Sequence, residues 1–377
     1  MLEVAQDAWR GIGKRDLCIW HGGAWLCCAT LAACNVYDGS LVEAQQANAV
    51  QEELGASACA LRRPPGPSSG LNWGDEERVF VLRDVSFDQR NQGWRHIGFD
   101  LDGHDGGDCR LRPEVARSCV PHMSDAPPVL DGVHGVDNVL GGQFLPLVLS
   151  YAPTHADDAQ QAQATGRDAL LLRLQGYNGT NSSRVRASLA HTLYTLPPGS
   201  SGGVGVPSTL PTPLWDGSDR WWVAREDFTA ADAGLPTIVD EAAYVVGRTL
   251  VMRLPDGATL RVPWGARNLP MRLSDARLSG TLSADGQRLL DVTLSGRWRL
   301  SDGAEALSAA GVCPGTVARG VLDQQMLRMV DVRADAATDA LEQACDALSV
   351  GLRFTGYRAV WGGLDDRPAS SVPDPCL

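Results

Sequence analysis

The chain has 377 residues, 44% of them hydrophobic, and its 45 acidic side chains outnumber 33 basic ones to leave a formal net charge of −12 at pH 7. So acidic a surface repels nucleic acid and anionic lipid, which removes nucleic-acid binding from the function classes and requires that any hold on a membrane come from something other than a basic patch. Lys14 is the sole lysine, so every basic side chain beyond it is an arginine.

In chain order the first signal is Lys14-Arg15 followed by the apolar-leaning segment 17–33, the charged flank and apolar run of a secretory signal. The segment is short of the roughly 20 apolar residues of a membrane-spanning helix, and His21 interrupts it. It ends in Leu31-Ala32-Ala33-Cys34: an aliphatic anchor, two small residues beside a scissile bond, and a thiol. This run resembles the lipobox of bacterial lipoproteins. The resemblance implies cleavage before Cys34, acylation of its thiol, and a mature protein anchored in the cell envelope through several acyl chains, which hold firmly where one does not. Asn35 stands where an aspartate would retain an enteric lipoprotein in the inner membrane, which points to the outer membrane or cell surface. The competing reading makes Cys34 an ordinary cysteine behind a weak apolar helix.

On this basis residues 1–33 are a signal peptide and 34–75 a lipidated N-terminus and tether, ending in the Arg62–Gly70 Pro/Gly/Ser stretch. Residues 76–302 read as an antiparallel β-sandwich of jelly-roll type. Strand signals recur at Val79–Leu82, Ala169–Leu174, Val185–Leu193, Arg220–Val223 and Tyr244–Leu254, and Tyr177-Asn178-Gly179-Thr180 marks a hairpin. In the hairpin about Asp285-Gly286, a plain two-residue turn would set Leu278 against Thr293. Burial predicts the register that pairs Leu278 with Leu294 and Leu282 with Leu290, with a bulge or three-residue loop near Asp285–Gln287, and Gly280 and Gly296 making room for Trp298. Residues 303–377 read as a small helical segment packed on the sandwich. Its predicted helices are Ala304–Ala310, Arg319–Val330 and Ala336–Leu348, and a strand over Gly351–Val360 returns to the sheet.

The chain has 10 cysteines; with Cys18, Cys27 and Cys28 in the signal and Cys34 acylated, the remainder are Cys59, Cys109, Cys119, Cys313, Cys345 and Cys376. An even remainder in an exported chain reads as disulfides. Spacing favours Cys109–Cys119 and Cys313–Cys345, leaving Cys59–Cys376, although sequence alone admits every pairing. A zinc site among His104, Cys109, Cys119, His122 and His134 has no recognised ligand spacing.

The segment 98–109 places Asp100, Asp102, Asp105 and Asp108 among glycines, hard oxygen ligands on a backbone free to curl, as a calcium loop requires. It is not an EF-hand, and a second acidic turn over 131–138 offers further oxygens from Asp131 and Asp137. The alternative is that these aspartates cap turns through their own backbone. Trp215, Trp221 and Trp222 are candidates for an aromatic platform under a glycan, with core packing as the alternative. Gly199-Ser200-Ser201-Gly202-Gly203 matches a nucleophile elbow on paper, but proline-flanked glycines read as a loop. The order of motifs GFDLDG, DGVHGVDNVLGG, LRLQGYNGTN and LWDGSDRWW is similar to that of a group of uncharacterised secreted lipoproteins of GC-rich soil bacteria, which implies no activity. The expectation is a non-enzymatic surface lipoprotein, structural or binding a glycan or protein ligand, with calcium as its only cofactor. A secreted sandwich-fold polysaccharide hydrolase is the alternative; it needs a cleft with paired carboxylates beside exposed tryptophan.

Overall fold

The computed structural model describes residues 60–69, 73–103, 118–123, 129–196, 211–229, 236–264, 267–340, 342–366 and 375–376. The signal segment, Cys34, Cys59, Asp105, Asp108, Cys109 and the serine-glycine stretch 199–203 lie outside the described residues. Among the described residues no helix is long and apolar enough to cross a membrane.

Among the described residues ten strands form: β1 (Glu76–Arg83), β2 (Leu170–Tyr177), β3 (Ser182–Leu196), β4 (Arg220–Ala224), β5 (Ile238–Val246), β6 (Thr249–Arg253), β7 (Ala258–Trp264), β8 (Arg267–Leu282), β9 (Arg288–Arg299) and β10 (Ala347–Asp365). They do not make a sandwich. The order β1-β2-β3-β5-β6-β8-β9-β10 runs antiparallel from neighbour to neighbour and then closes, because β10 pairs with β1 through Val79↔Ala359 to Arg83↔Thr355. The result is a closed eight-strand up-and-down barrel, in which no edge of the cylinder is left unpaired. Strand periodicity is the same for sandwich and barrel; the distinction lies in the pairing of β1 with β10, from Val79↔Ala359 to Arg83↔Thr355 at opposite ends of the sequence, which no local pattern reveals.

Alternation explains why each strand is buried. Phe80 and Leu82 of β1 point into the main core with Leu170, Leu172 and Leu174 of β2, Val185, Ala187 and Leu189 of β3, and Val350, Leu352 and Phe354 of β10. At about 1.5–3 kcal/mol for each large aliphatic or aromatic side chain, this filled interior dominates the stability. The opposite faces of β1 and β2 are covered too: Val79, Val81 and Leu171 join Trp221 and Val223 in a second cluster beneath β4, which bridges β3 and β10. Strands buried on both faces read as continuous apolar runs, as Val79–Leu82 does.

The helices sit in two connections. Between β1 and β2 come a π-turn (Leu140–Phe144), α1 (Leu145–Tyr151) and α2 (His155–Ala164); between β9 and β10 come α3 (Leu300–Ala309) and α4 (Val317–Met329). Phe144 meets Trp298 edge-on at 6.0 Å, and Leu307 and Met326 join the same core, so both connections pack on the barrel. The helix expected over 336–348 is only a 3₁₀ turn, Ala336–Thr338, because β10 begins at Ala347 and draws that stretch extended into the barrel. The carboxy-terminal region is therefore part of the cylinder as well as its helical decoration.

The β8–β9 hairpin shows how burial and turn chemistry divide the register. Leu278 faces Leu294 as expected, but at the tip Leu282 faces Leu289 and Thr281 faces Leu290, with a register shift between Ser279 and Thr281. The irregularity thus falls at Gly280 and not at Asp285–Gln287. A Cβ at 280 would lie 2.9 Å from Leu289 Cγ and 3.0 Å from Val292 Cγ2, so glycine tolerates the crowding, and Leu290 is left exposed. Gly296 makes room for Ala276 in place of Trp298, since its Cβ would stand 2.8 Å from that methyl group.

The cysteines pair as Cys119–Cys345 and Cys313–Cys376, and not as the local spacing suggests. Val120 forms a parallel bridge with Ala344, its N–H donating to the Gln343 carbonyl and Cys345 N–H donating back to its own, each at 2.7 Å; that long-range contact brings the first pair together. Peptide mapping without reduction is expected to recover both linkages. Removing Cys119–Cys345 by paired serine substitution is expected to cost about 2–5 kcal/mol in urea unfolding.

Candidate metal centre

The polar face of β9 and β10 holds the candidate site. Ser295 and Arg297 of β9 stand opposite Gly351 and Ser349 of β10. On an open sheet face such residues would meet water, yet Ser295, Arg297 and Ser349 are all fully buried. The β1–β2 connection lies over them. Phe99 N–H donates to Ser295 Oγ at 3.3 Å, Val139 N–H to Ser349 Oγ at 2.8 Å, and Gly351 N–H to Asn138 Oδ1 at 2.9 Å. Glycine at 351 is required by this approach, because a Cβ there would come within 2.1 Å of the Ile97 carbonyl.

The covering connection brings a group of aspartates to this wall. Asp100 and Asp102 come from the loop after the 3₁₀ turn Gly93–His96; Asp131 and Asp137 flank the turn at His134-Gly135, both of which adopt positive φ. Asp331 comes from the segment after α4 and takes the N–H and hydroxyl of Ser349. Carboxylate oxygens of Asp100, Asp102 and Asp137 all lie within 4.8 Å of one another. Calcium holds oxygens at about 2.3–2.6 Å, so ligands across one ion stand about 5 Å apart, and this spacing fits a shared calcium.

The electrostatics are lopsided. Arg63 donates to Asp100 Oδ2 at 2.7 Å and Gly103 N–H to its Oδ1 at 2.7 Å, yet burial still raises this carboxyl above its ordinary range. Burial pushes Asp131 up to about 8, with Asp102, Asp331 and Asp100 adding to the effect. Asp137 is driven well above the usual carboxylate range by burial and then by Asp102, Asp131 and Asp331, although it accepts Leu101 N–H at 2.7 Å. Asp331 rises to about 7 for the same first reason, opposed by Ser349. Asp131 Oδ2 is buried and takes no hydrogen bond from a described residue. Buried carboxylates this close require a proton or a cation between them.

Two arginines organise the wall. Arg63, in the segment read from sequence as tether, lies against the barrel: Arg62 N–H donates to His134 O at 2.8 Å and Asp100 N–H to Arg62 O at 2.9 Å. Arg297, wholly buried, makes a two-pronged pair with Asp339 at 2.8 Å on each arm and also donates to the carbonyls of Leu101 and Arg333. It thereby ties the acidic loop to the 331–339 segment.

Of the calcium ligands expected from sequence, Asp100 and Asp102 converge and are joined by Asp137 from the second acidic turn; Asp105 and Asp108 lie outside the described residues. Asp331, Arg63 and Arg297 escaped the sequence reading. The signal for Asp331 was a lone carboxylate between Val330 and Val332, and for Arg297 a cation directly before Trp298. Zinc is ruled out at Cys119, whose sulfur is in a disulfide.

The proposed tryptophan platform is not open. Trp221 is fully buried, Trp215 packs on it at 5.3 Å while donating Nε1–H to Ala164 O, and Trp222 stacks on Tyr194 at 6.0 Å. The aromatic triplet is packing, because β4 pairs between the carboxy-terminal ends of β3 and β10 and carries Trp221 into the second core cluster with Trp215 against it. A buried His191–Asp227 pair is likewise fully engaged: Nδ1 faces Asp227 Oδ2 at 2.9 Å and Nε2 accepts Arg261 N–H at 2.7 Å, which leaves neither nitrogen free for chemistry.

Comparison with protein-family models, with curated proteins and with solved structures gives no match.

Proposed function

We propose that the chain is a lipid-anchored, non-enzymatic module of the cell envelope, held through Cys34, whose barrel is stiffened by one calcium ion at Asp100, Asp102 and Asp137. The observation that carries the metal reading is the convergence of these three carboxylates, from two separate turns, on oxygens within 4.8 Å of one another. The cluster lies between the β1–β2 connection and the barrel wall, so an ion there braces the fold. Its role is structural. Two disulfides favour an oxidising compartment, in keeping with the lipobox resemblance at Leu31-Ala32-Ala33-Cys34. The polysaccharide-hydrolase alternative has less support, since of the tryptophans it would use Trp221 is buried, Trp215 packs on Trp221 and Trp222 stacks on Tyr194.

Thermal unfolding at pH 7.5 tests the reading. Calcium at 100 times its dissociation constant is expected to add about 2.7 kcal/mol of stability over chelator-treated protein. Magnesium, which demands a tighter octahedron, is expected to add less. Asp137→Asn is expected to abolish the calcium increment. Equal melting in calcium and chelator would refute the metal reading.

A further inference from the structure

A cleft of about 670 Å³ opens on the barrel away from the tryptophans, between the β7 turn, the middle of β8, the β9–α3 corner and residues 334–336. Its volume suits a small ligand, but its wall does not suit an apolar one: aromatic side chains are absent from the lining, and charged and hydroxyl groups prevail. We propose that this cleft binds a small zwitterion of the free amino-acid type, its carboxylate held by Arg272 and Arg299 and its ammonium by Asp256 and Asp335.

The basic pole rests on register. Leu273 stands opposite Trp298, which sets Arg272 beside Arg299 on neighbouring strands. Like charges directly across a strand pair are unfavourable unless an anion lies between them. The nearest carboxylate to Arg272 is Asp302 at 4.0 Å, beyond hydrogen-bond reach, and the exposed Arg299 side chain makes no hydrogen bond or ion pair among the described residues. Beside them α3 starts without a side-chain cap; Leu300 N–H is used by Asp346 O at 3.0 Å, while Ser301 and Asp302, next in the helix, line the cleft. A carboxylate seated here would separate the two guanidinium groups and take two-pronged hydrogen bonds.

The acidic pole is distinct. Asp275, at a register shift with φ 43°, pairs with Arg277 at 3.3 Å and gives its N–H to Asp256 Oδ1 at 3.2 Å. Asp335 Oδ1 caps Ala337 N–H at 3.0 Å. Asp256 and Asp335 each keep a second oxygen without a cation partner among the described residues, and both side chains are exposed on the cleft wall. An anion without an ammonium would meet these carboxylates unpaired, and a cation without a carboxylate would leave the arginines facing each other. Charge complementarity therefore selects a ligand with both poles.

Calorimetric titration of the full-length chain with glycine, L-serine and L-glutamine tests this, with N-acetyl-L-serine and L-serine methyl ester as the single-pole controls. Saturable binding of at least one free amino acid at one site is expected, with an affinity at least about tenfold above either blocked serine, the scale of one lost charged contact. Arg299→Ala is expected to lower that affinity about tenfold or more with unchanged thermal unfolding, because the exposed Arg299 side chain holds no other described residue while its backbone pairing with Ala347 is kept. Failure of all three amino acids to bind, equal binding of a blocked derivative, or undiminished affinity in Arg299→Ala would overturn the proposal.

Discussion

Replacing Arg297 by alanine is expected to destabilise the barrel by about 3–5 kcal/mol, a large part of the roughly 5–15 kcal/mol that holds an ordinary domain folded. The guanidinium is fully buried and serves Asp339, the Leu101 carbonyl and the Arg333 carbonyl at once. Truncation leaves the partly buried Asp339 carboxylate and two carbonyls without this donor. Lysine is not a rescue, since one ammonium cannot match the planar fork. The double variant Arg297→Ala/Asp339→Ala is expected to recover part of the loss, as it removes the stranded carboxylate. Urea unfolding measures both. A loss under about 1 kcal/mol for Arg297→Ala would show that the acidic loop does not depend on this tie.

The metal-free protein is expected to lose stability as pH rises from about 4 to about 8, the reverse of the usual behaviour of paired carboxylates. Asp131 titrates at about 8 in the native state, against 3.8 for an unperturbed aspartate. Asp331 titrates at about 7 against the same reference. Between the lower and upper values the native state keeps protons that the unfolded chain has released. Stability therefore falls with pH, by up to about 1.4 kcal/mol per pH unit for each retained proton, and levels off above both native values. On the proposed calcium reading the ion would take the place of those protons, so its stabilising effect is expected to be larger at pH 8 than at pH 5. Chemical unfolding of chelator-treated protein across this range provides the check. Stability that stays level or climbs from pH 5 to pH 8 would mean that these carboxylates are not buried together.

Local chemistry was legible in the chain; closure was not. Val79–Leu82, the Asn178-Gly179 hairpin and the two helices after residue 300 stand where alternation, turn residues and helical spacing put them. Leu278 opposite Leu294 followed from burial alone. What failed depends on contacts between distant segments. Pairing of Val79 with Ala359 turns a presumed sandwich into a barrel, and the Val120–Ala344 bridge redirects the cysteines. The site was half legible. Asp100 and Asp102 were visible as a glycine-spaced acidic loop, and the turn holding Asp137 was visible as a second one. Ser295 and Arg297, by contrast, carry no local sign of burial, because sequence cannot show that the β1–β2 connection folds back over that strand face. The same blindness made a tether of Arg62 and Arg63, which the acidic loop engages through backbone and side chain.

Calcium titration calorimetry on chelator-treated protein at pH 7.5 meets the central claim head-on. One calcium per chain is expected to bind, with protons released as it does so, and Asp137→Asn is expected to bind none. An absence of binding heat in the wild-type chain across buffers of different ionisation enthalpy, or wild-type binding by Asp137→Asn, would contradict a metal centre at Asp100, Asp102 and Asp137.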